Sequence, residues 1–199
     1  VLMKNVGHRM AGVSLHYYTV MGWSGSKGSA TQFTDDDYYW TMGKCLEIEP
    51  VLKKHMAIMD KYDPKKQIGL MVDEWGTWWD EEPGTVRGHL YQQNTLRDAF
   101  VASLTLDVFH KYTDRIKMTN IAQIANVLRM YNVHQDATFL PLDLKCEREI
   151  VRDDRIVPMV SATASRDANG LIHISLSNVD LQESQEIELN LGEVKAKSV

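Results

Sequence analysis

The sequence predicts an α/β unit on a parallel sheet, followed by an antiparallel all-β domain. Two observations carry this. From Gly12 to Tyr112 short apolar runs alternate with long amphipathic stretches, the order of βαβ units. Beyond His134 the helical period gives way to short β-rich runs separated by turn residues.

In chain order, Gly12–Tyr18 is an apolar and aromatic run ending before a glycine-rich stretch, Gly22–Gly28, and reads as a strand and a loop. Thr34 or Asp35 can cap a helix. Cys45, Ile48, Leu52, Met56 and Met59 then recur at helical spacing on one face, with Pro50 marking a break or restart and Asp63-Pro64 the end. Ile68–Val72 is a near-continuous apolar run, as expected for a parallel strand buried on both sides. A further helix is predicted from about Leu90 to Tyr112. Val157–Ser165 and Leu171–Asn178 read as antiparallel strands joined by Arg166-Asp167-Ala168-Asn169-Gly170, where Asn-Gly suits the positive φ of a hairpin. Ile187–Leu191 alternates again and reads as one more strand. The all-β part should begin between His134 and Pro141. The sequence shows no internal repeat and no low-complexity tract.

Bulk properties exclude several classes. The chain has 199 residues, 44% of them hydrophobic, enough for a real core. A net charge of -5 with scattered lysines and arginines offers no face to a phosphate backbone, so no nucleic-acid partner is expected. No apolar run approaches the roughly 20 residues of a spanning helix, so no membrane is expected either. Seven histidines show no HxH or HExxH spacing, and no metal is implied. Cys45 and Cys146 lie far apart and read as free thiols. The chain opens on Val1 without a signal sequence or an initiator Met, so the natural N-terminus is expected upstream and the compartment, cytoplasmic or periplasmic/secreted, stays open.

The segment Val72–Asp80 carries the chemistry. Glu74 ends a buried strand, where the backbone is fixed and the following loop opens to solvent. Trp75, Trp78 and Trp79 follow within five residues, and tryptophan rings offer the C–H faces of sugars a flat apolar surface. The same residues also fit an ion-paired Asp73 and Glu74 beside core tryptophans. From the residues alone both readings stand.

Asp73-Glu74-Trp75-Gly76-Thr77-Trp78 resembles the nucleophile motif of the family-51 arabinofuranosidases. Ser14–Tyr18 is similar to that family's sixth barrel strand, Asn120–Gln123 to the entry into its eighth, and His134–Ala137 to the junction with its C-terminal β-sandwich. The resemblance implies the C-terminal part of a (β/α)8 TIM barrel over 1–134, followed by part of a jelly-roll-like β-sandwich over 135–199. It implies retaining hydrolysis of terminal non-reducing α-L-arabinofuranosyl residues in arabinose-containing polysaccharides and oligosaccharides, without a cofactor. Glu74 matches the nucleophile, Tyr18 a tyrosine that hydrogen-bonds to it, and Trp78 and Gln123 residues that contact the sugar. His16, at the same strand end, is a candidate for shaping the site. Trp23 and Lys27 lie on the glycine-rich loop, which should overhang the site as a substrate lid or an ordinary flexible loop; it lacks the Gly-Lys-Ser/Thr ending of a phosphate loop. Members of that family are often hexameric, which implies a homo-oligomer.

Two departures limit the match. The family's acid/base is a glutamate in an Asn-Glu pair, and this chain contains no Asn-Glu. Retaining hydrolysis needs both carboxyl groups about 5 to 5.5 Å apart, so this chain alone should be inactive and part of something longer. After Val127 the chain runs almost directly into what resembles the middle of the family's last helix, as if a stretch were missing. Asp73 is no substitute acid, because strand alternation should turn it away from the face that Glu74 occupies, and nothing in the sequence positions Asp80 or Glu81. Two other functions fit the residues: another retaining glycosidase, such as an endoglucanase or xylosidase, and a carbohydrate-binding fragment without turnover.

Overall fold

The computed structural model describes residues 1–122 and 131–192. After a short helix α1 (Leu2–Val6), strands β1 (Gly12–Thr19), β2 (Gly69–Thr77) and β3 (Ile116–Ile121) form a parallel sheet with β2 in the centre. Helices α2 (Asp35–Leu46) and α3 (Ile48–Tyr62) link β1 to β2, and α4 (Leu96–His110) links β2 to β3.

The local sequence explains each helix boundary. Thr34 and Asp37 form a reciprocal capping box, Thr34 N–H donating to Asp37 Oδ2 at 2.9 Å and Asp37 N–H to Thr34 Oγ1 at 3.2 Å. Asp35, Asp36 and Asp37 also place negative charge in the first turn, where the helix dipole favours it. The break before Pro50 is real: α2 ends at Leu46, α3 restarts at Ile48, and Pro50 sits in the first turn, where a missing N–H costs nothing. The helix predicted from Leu90 instead begins at Leu96. Leu90 adopts φ 55°, outside the helical region, and the start is set by a second capping box between Thr95 and Asp98.

One face of the parallel sheet is covered by helices. Leu70, Val72 and Trp75 of β2 share a core with Ile48, Leu52, Met56 and Met59 of α3 and Val108 and Phe109 of α4, and Val13, Leu15 and Tyr17 of β1 pack against it. Trp75 meets Phe109 edge to face at 5.2 Å between centroids. Arg115, 1% exposed, ties this layer together: it donates to Asp63 Oδ2 at 2.7 Å, to the Ile68 carbonyl at 2.9 Å and to Asp60. A buried guanidinium is tolerated because nearly every donor finds an oxygen.

The remaining described strands are antiparallel. Strands β4 (Thr138–Leu140), β5 (Glu149–Arg152), β6 (Arg155–Pro158), β7 (Val160–Arg166) and β8 (Ile172–Asn178) make a three-stranded sheet, β4-β7-β8, and a two-stranded ribbon, β5-β6. The β7–β8 turn falls within the expected segment and uses its glycine. Asp167 pairs with Leu171 across a three-residue loop, its side chain accepting from the Asn169 and Leu171 amides, and only Gly170 takes positive φ, at 83°. Ile187–Leu191 forms no strand. Ile187 and Leu189 stay exposed, and no neighbouring strand pairs with the segment among the described residues.

The antiparallel part docks on α2 and α4. Tyr38, Tyr39, Met42 and Cys45 of α2, Val101 and Leu104 of α4, and Val157, Met159 and Val179 form a second apolar core. Cys45 and Cys146 are both free thiols, and burial pushes Cys45 up to about 12. Beside that core lies a polar seam. Asp107, 2% exposed, accepts from the Tyr131 hydroxyl at 2.7 Å and from Ser161. His110 Nδ1 lies 2.9 Å from Thr163 Oγ1, and His134 bridges Ser165 and Ser175 at 2.7 and 2.8 Å. Burial raises the Asp107 carboxyl to about 6 and lowers His110 to about 4, the latter helped by nearby His134. Among the described residues no helix is long and apolar enough to cross a membrane.

Candidate active site

The site lies on the face of the parallel sheet that, among the described residues, carries no helix, and a single irregularity in β2 builds it. Between Val72 and Trp75 β2 advances three residues while β3 advances two, Thr119 to Ile121. On the other side β2 advances from Met71 to Glu74 while β1 advances from Ser14 to His16. β2 therefore carries one extra residue, a β-bulge, at Asp73 and Glu74. Val72 and Trp75 both remain in the helix-side core, so both intervening carboxylates are left on the open face. This corrects the expectation that Asp73 would face away from Glu74, since the alternation behind it holds for an unbulged strand.

β1 keeps its alternation and presents Ser14, His16 and Tyr18 to the same face. The Tyr18 hydroxyl donates to Glu74 Oε1 at 2.7 Å, the contact that the family resemblance implied. His16 Nδ1 lies 2.7 Å from Glu74 Oε2, and its Nε2 lies 3.3 Å from Asp73 Oδ1. Ser14 Oγ donates to Asp73 Oδ1 at 2.7 Å. Burial, reinforced by the Glu74 carboxylate, raises the Tyr18 phenol well above its ordinary value, so it stays a proton donor to Glu74 at any physiological pH. The Ser14 hydroxyl, with His16, holds Asp73 below the usual carboxylate range. The centre is open to solvent: side-chain exposure is 53% at His16 and 45% at Glu74.

Of the three tryptophans only Trp78 reaches the site. It packs edge-on against Tyr18 at 5.2 Å and Trp23 at 5.8 Å, and Trp23 also lies 6.5 Å from Tyr18. Together they form an aromatic shelf beside Glu74 whose outer member, Trp23, is 66% exposed. Trp75 and Trp79 are structural. The indole N–H of Trp79 donates to buried Asp98 at 2.8 Å, and the Arg97 guanidinium is sandwiched between the Trp79 and Phe33 rings at 3.7 and 3.8 Å. Gly76 supplies φ 144° between the two packing modes, a conformation that L side chains rarely adopt.

The glycine-rich loop is held down. Asp80 accepts from the Lys27 amide at 2.9 Å and from the Ser26 hydroxyl, and its own N–H donates to the Gly28 carbonyl at 2.9 Å. Those donors hold Asp80 below the usual carboxylate range. Lys27 Nζ sits 5.3 Å from the Trp78 ring centre, which completes the shelf. Sequence reasoning gave Asp80 no role because its partners lie more than fifty positions away. Gln123 and the junction after Val127 lie outside the described residues. No cluster of three or more His, Cys, Asp or Glu side chains suited to a metal occurs among the described residues.

Several known proteins are similar to this chain. The family described as the α-L-arabinofuranosidase C-terminal domain matches residues 73–129, beginning within the bulge. An intracellular exo-α-L-arabinofuranosidase of Bacteroides ovatus is 70% identical over 217 residues, covering 99% of this chain and 42% of that protein. The crystal structure of a GH51 arabinofuranosidase from Xanthomonas axonopodis pv. citri superposes with a TM-score of 0.84 at 40% identity, covering 90% of this chain and 40% of that one. An α-L-arabinofuranosidase of Thermotoga maritima, solved as an arabinose complex, has a TM-score of 0.55 at 18% identity over 84% of this chain and 38% of its own, a likeness of fold alone. These matches place the chain among the glycoside hydrolases. It belongs to the family-51 arabinofuranosidases, of which it forms a C-terminal part. It spans about two fifths of the length of those relatives.

Proposed function

We propose that the protein containing this chain is a retaining exo-acting α-L-arabinofuranosidase with Glu74 as its nucleophile. The carrying observation is the seat of Glu74: it has a Tyr18 hydroxyl on one oxygen, His16 on the other and an aromatic shelf alongside. A nucleophilic carboxylate must be ionised, and a phenol O–H aimed at it favours the charged form. In the first step a Glu74 oxygen bonds to the anomeric carbon while the glycosidic C–O bond breaks and the leaving oxygen takes a proton. Water then displaces Glu74, two inversions giving net retention. The proton donor belongs to a part of the protein beyond this chain.

On this reading β1, β2 and β3 are strands six to eight of a (β/α)8 barrel spanning 1–134, with their open face directed into its interior. Residues 135–199 belong to a jelly-roll-like β-sandwich. Trp78 and Trp23, with Gln123, contact the sugar, and the substrate is an arabinose-containing polysaccharide or oligosaccharide. The family reading also suggests a homo-oligomer. The activity of the Bacteroides ovatus relative and its 70% identity support this reading.

The test compares the intact protein, its Glu74→Ala variant and the 199-residue chain on 4-nitrophenyl α-L-arabinofuranoside, with product stereochemistry followed by NMR. Glu74→Ala should lower kcat by several orders of magnitude, and the isolated chain should be inactive. Near-normal turnover by Glu74→Ala, or an inverted product, refutes the assignment. Xylosides and cellulose run in parallel would expose a different sugar preference.

A further inference from the structure

The bulge sets a second carboxylate beside the proposed nucleophile, and nothing in the two-carboxylate mechanism calls for it there. An unbulged strand would direct one of the two into the helix-side core among Leu70, Val72 and Trp75, where an ionised group is costly. Bringing both to one face avoids that, but it crowds two negative charges. The His16 ring resolves the crowding. It lies between them, Nδ1 toward Glu74 and Nε2 toward Asp73, so each ring nitrogen has a carboxylate oxygen within ion-pair distance. Ser14 fixes Asp73 from β1, donating to the same oxygen that His16 approaches.

We infer that Asp73 is a positioning residue for the nucleophile: acting through His16, it holds the imidazole against Glu74 Oε2, while Tyr18 holds Oε1. The carboxylate of Glu74 is thereby pinned at both oxygens, and its plane is fixed for attack. The orienting carboxylate stays ionised when Glu74 becomes a neutral ester in the covalent intermediate, so His16 keeps its anchor through both steps. The inference rests on the function proposed above. An imidazole fixed by a carboxylate on its far nitrogen is a recurrent device, and removing that carboxylate typically costs roughly 10- to 100-fold.

The experiment is a double-mutant cycle in the full-length protein, with Asp73→Ala, His16→Ala and the pair assayed on 4-nitrophenyl α-L-arabinofuranoside and Ki measured for arabinose. Rates are expressed per active site, counted with a mechanism-based inactivator. Asp73→Ala should lower kcat roughly 10- to 100-fold, leave the Ki within about twofold, and cost nothing further once His16 is already alanine. Multiplying effects in the double variant, or an equal loss in Ki, would overturn the inference, because Asp73 would then act independently of His16 or bind substrate itself. A rate within about threefold of wild type in Asp73→Ala would overturn it as well. Glu74→Ala serves as the control: if that variant is inactive while Asp73→Ala is unimpaired, the positioning role alone fails, whereas an active Glu74→Ala removes the parent reading.

Discussion

Replacing Asp107 by asparagine should unmask an acid lability in the seam between α4 and the antiparallel sheet. Asp107 titrates near 6 in the folded protein against an ordinary 3.8, a shift of about two units worth about 3 kcal/mol. Its folded value is raised, so its contribution to stability is present below pH 3.8 and is lost as pH climbs through 6. His110 works the other way. Its folded value is lowered to about 4 from 6.5, so its contribution is present above pH 6.5 and lost as pH falls toward 4, again by about 3 kcal/mol. In the wild type these two trends cancel between pH 4 and 6.5. The amide of the Asp107→Asn variant does not titrate, so the variant's stability relative to wild type should rise by about 3 kcal/mol from pH 4 to pH 7, while its own acid lability is unmasked. Urea unfolding of the full-length protein across that range reads the difference directly. A difference that stays flat within about 1 kcal/mol would refute the assignment of a buried, proton-binding Asp107.

Tyr18→Phe in the intact enzyme removes the donor on Glu74 Oε1, and loss of one hydrogen bond to a charged group should lower kcat about 10- to 100-fold with little change in thermal midpoint. Steady-state kinetics with a melting curve checks this, and an unchanged kcat would remove Tyr18 from the mechanism. Asp80→Ala releases the loop that carries Trp23 and Lys27, so KM should rise several-fold while proteolysis begins within residues 22–28. An intact loop and an unaltered KM would show that Asp80 is not its clasp.

Much of this architecture was legible because it rests on local signals. The alternation of apolar runs with helical stretches set out the order of elements, and Thr34 or Asp35 marked the start of α2, of which Thr34 is the cap; the hydrogen bond between Tyr18 and Glu74 came from the motif's resemblance to its family. What escaped was non-local. A bulge adds one residue against partner strands far along the chain, and its single local trace is Val72 and Trp75, two core residues spaced three apart where alternation demands two. The fates of the tryptophans were equally hidden. Trp79 is buried because Asp98 and Arg97, on a helix further along the chain, supply a hydrogen bond and a stacking cation. Leu90 and the alternation at Ile187–Leu191 misled for a related reason: apolar spacing proposes an element, but a cap or a partner strand decides whether it forms.

The extra residue in β2 also bears on how this strand tolerates changes of length. In a regular strand, deleting one position inverts every side chain beyond it, carrying Trp75, Thr77 and the contacts to Asp98 onto the wrong side. Here, between Val72 and Trp75, the strand already carries one residue more than β3 opposite it, and it does the same against β1 between Met71 and Glu74. Deleting Asp73 would remove that bulge and leave Leu70, Val72, Trp75 and Thr77 on the faces they now occupy, with Glu74 still directed to the open side. Position 73 is thus a place where the chain could gain or shed a residue without turning the strand over, so the nucleophile's immediate surroundings can vary by insertion and deletion as well as by substitution.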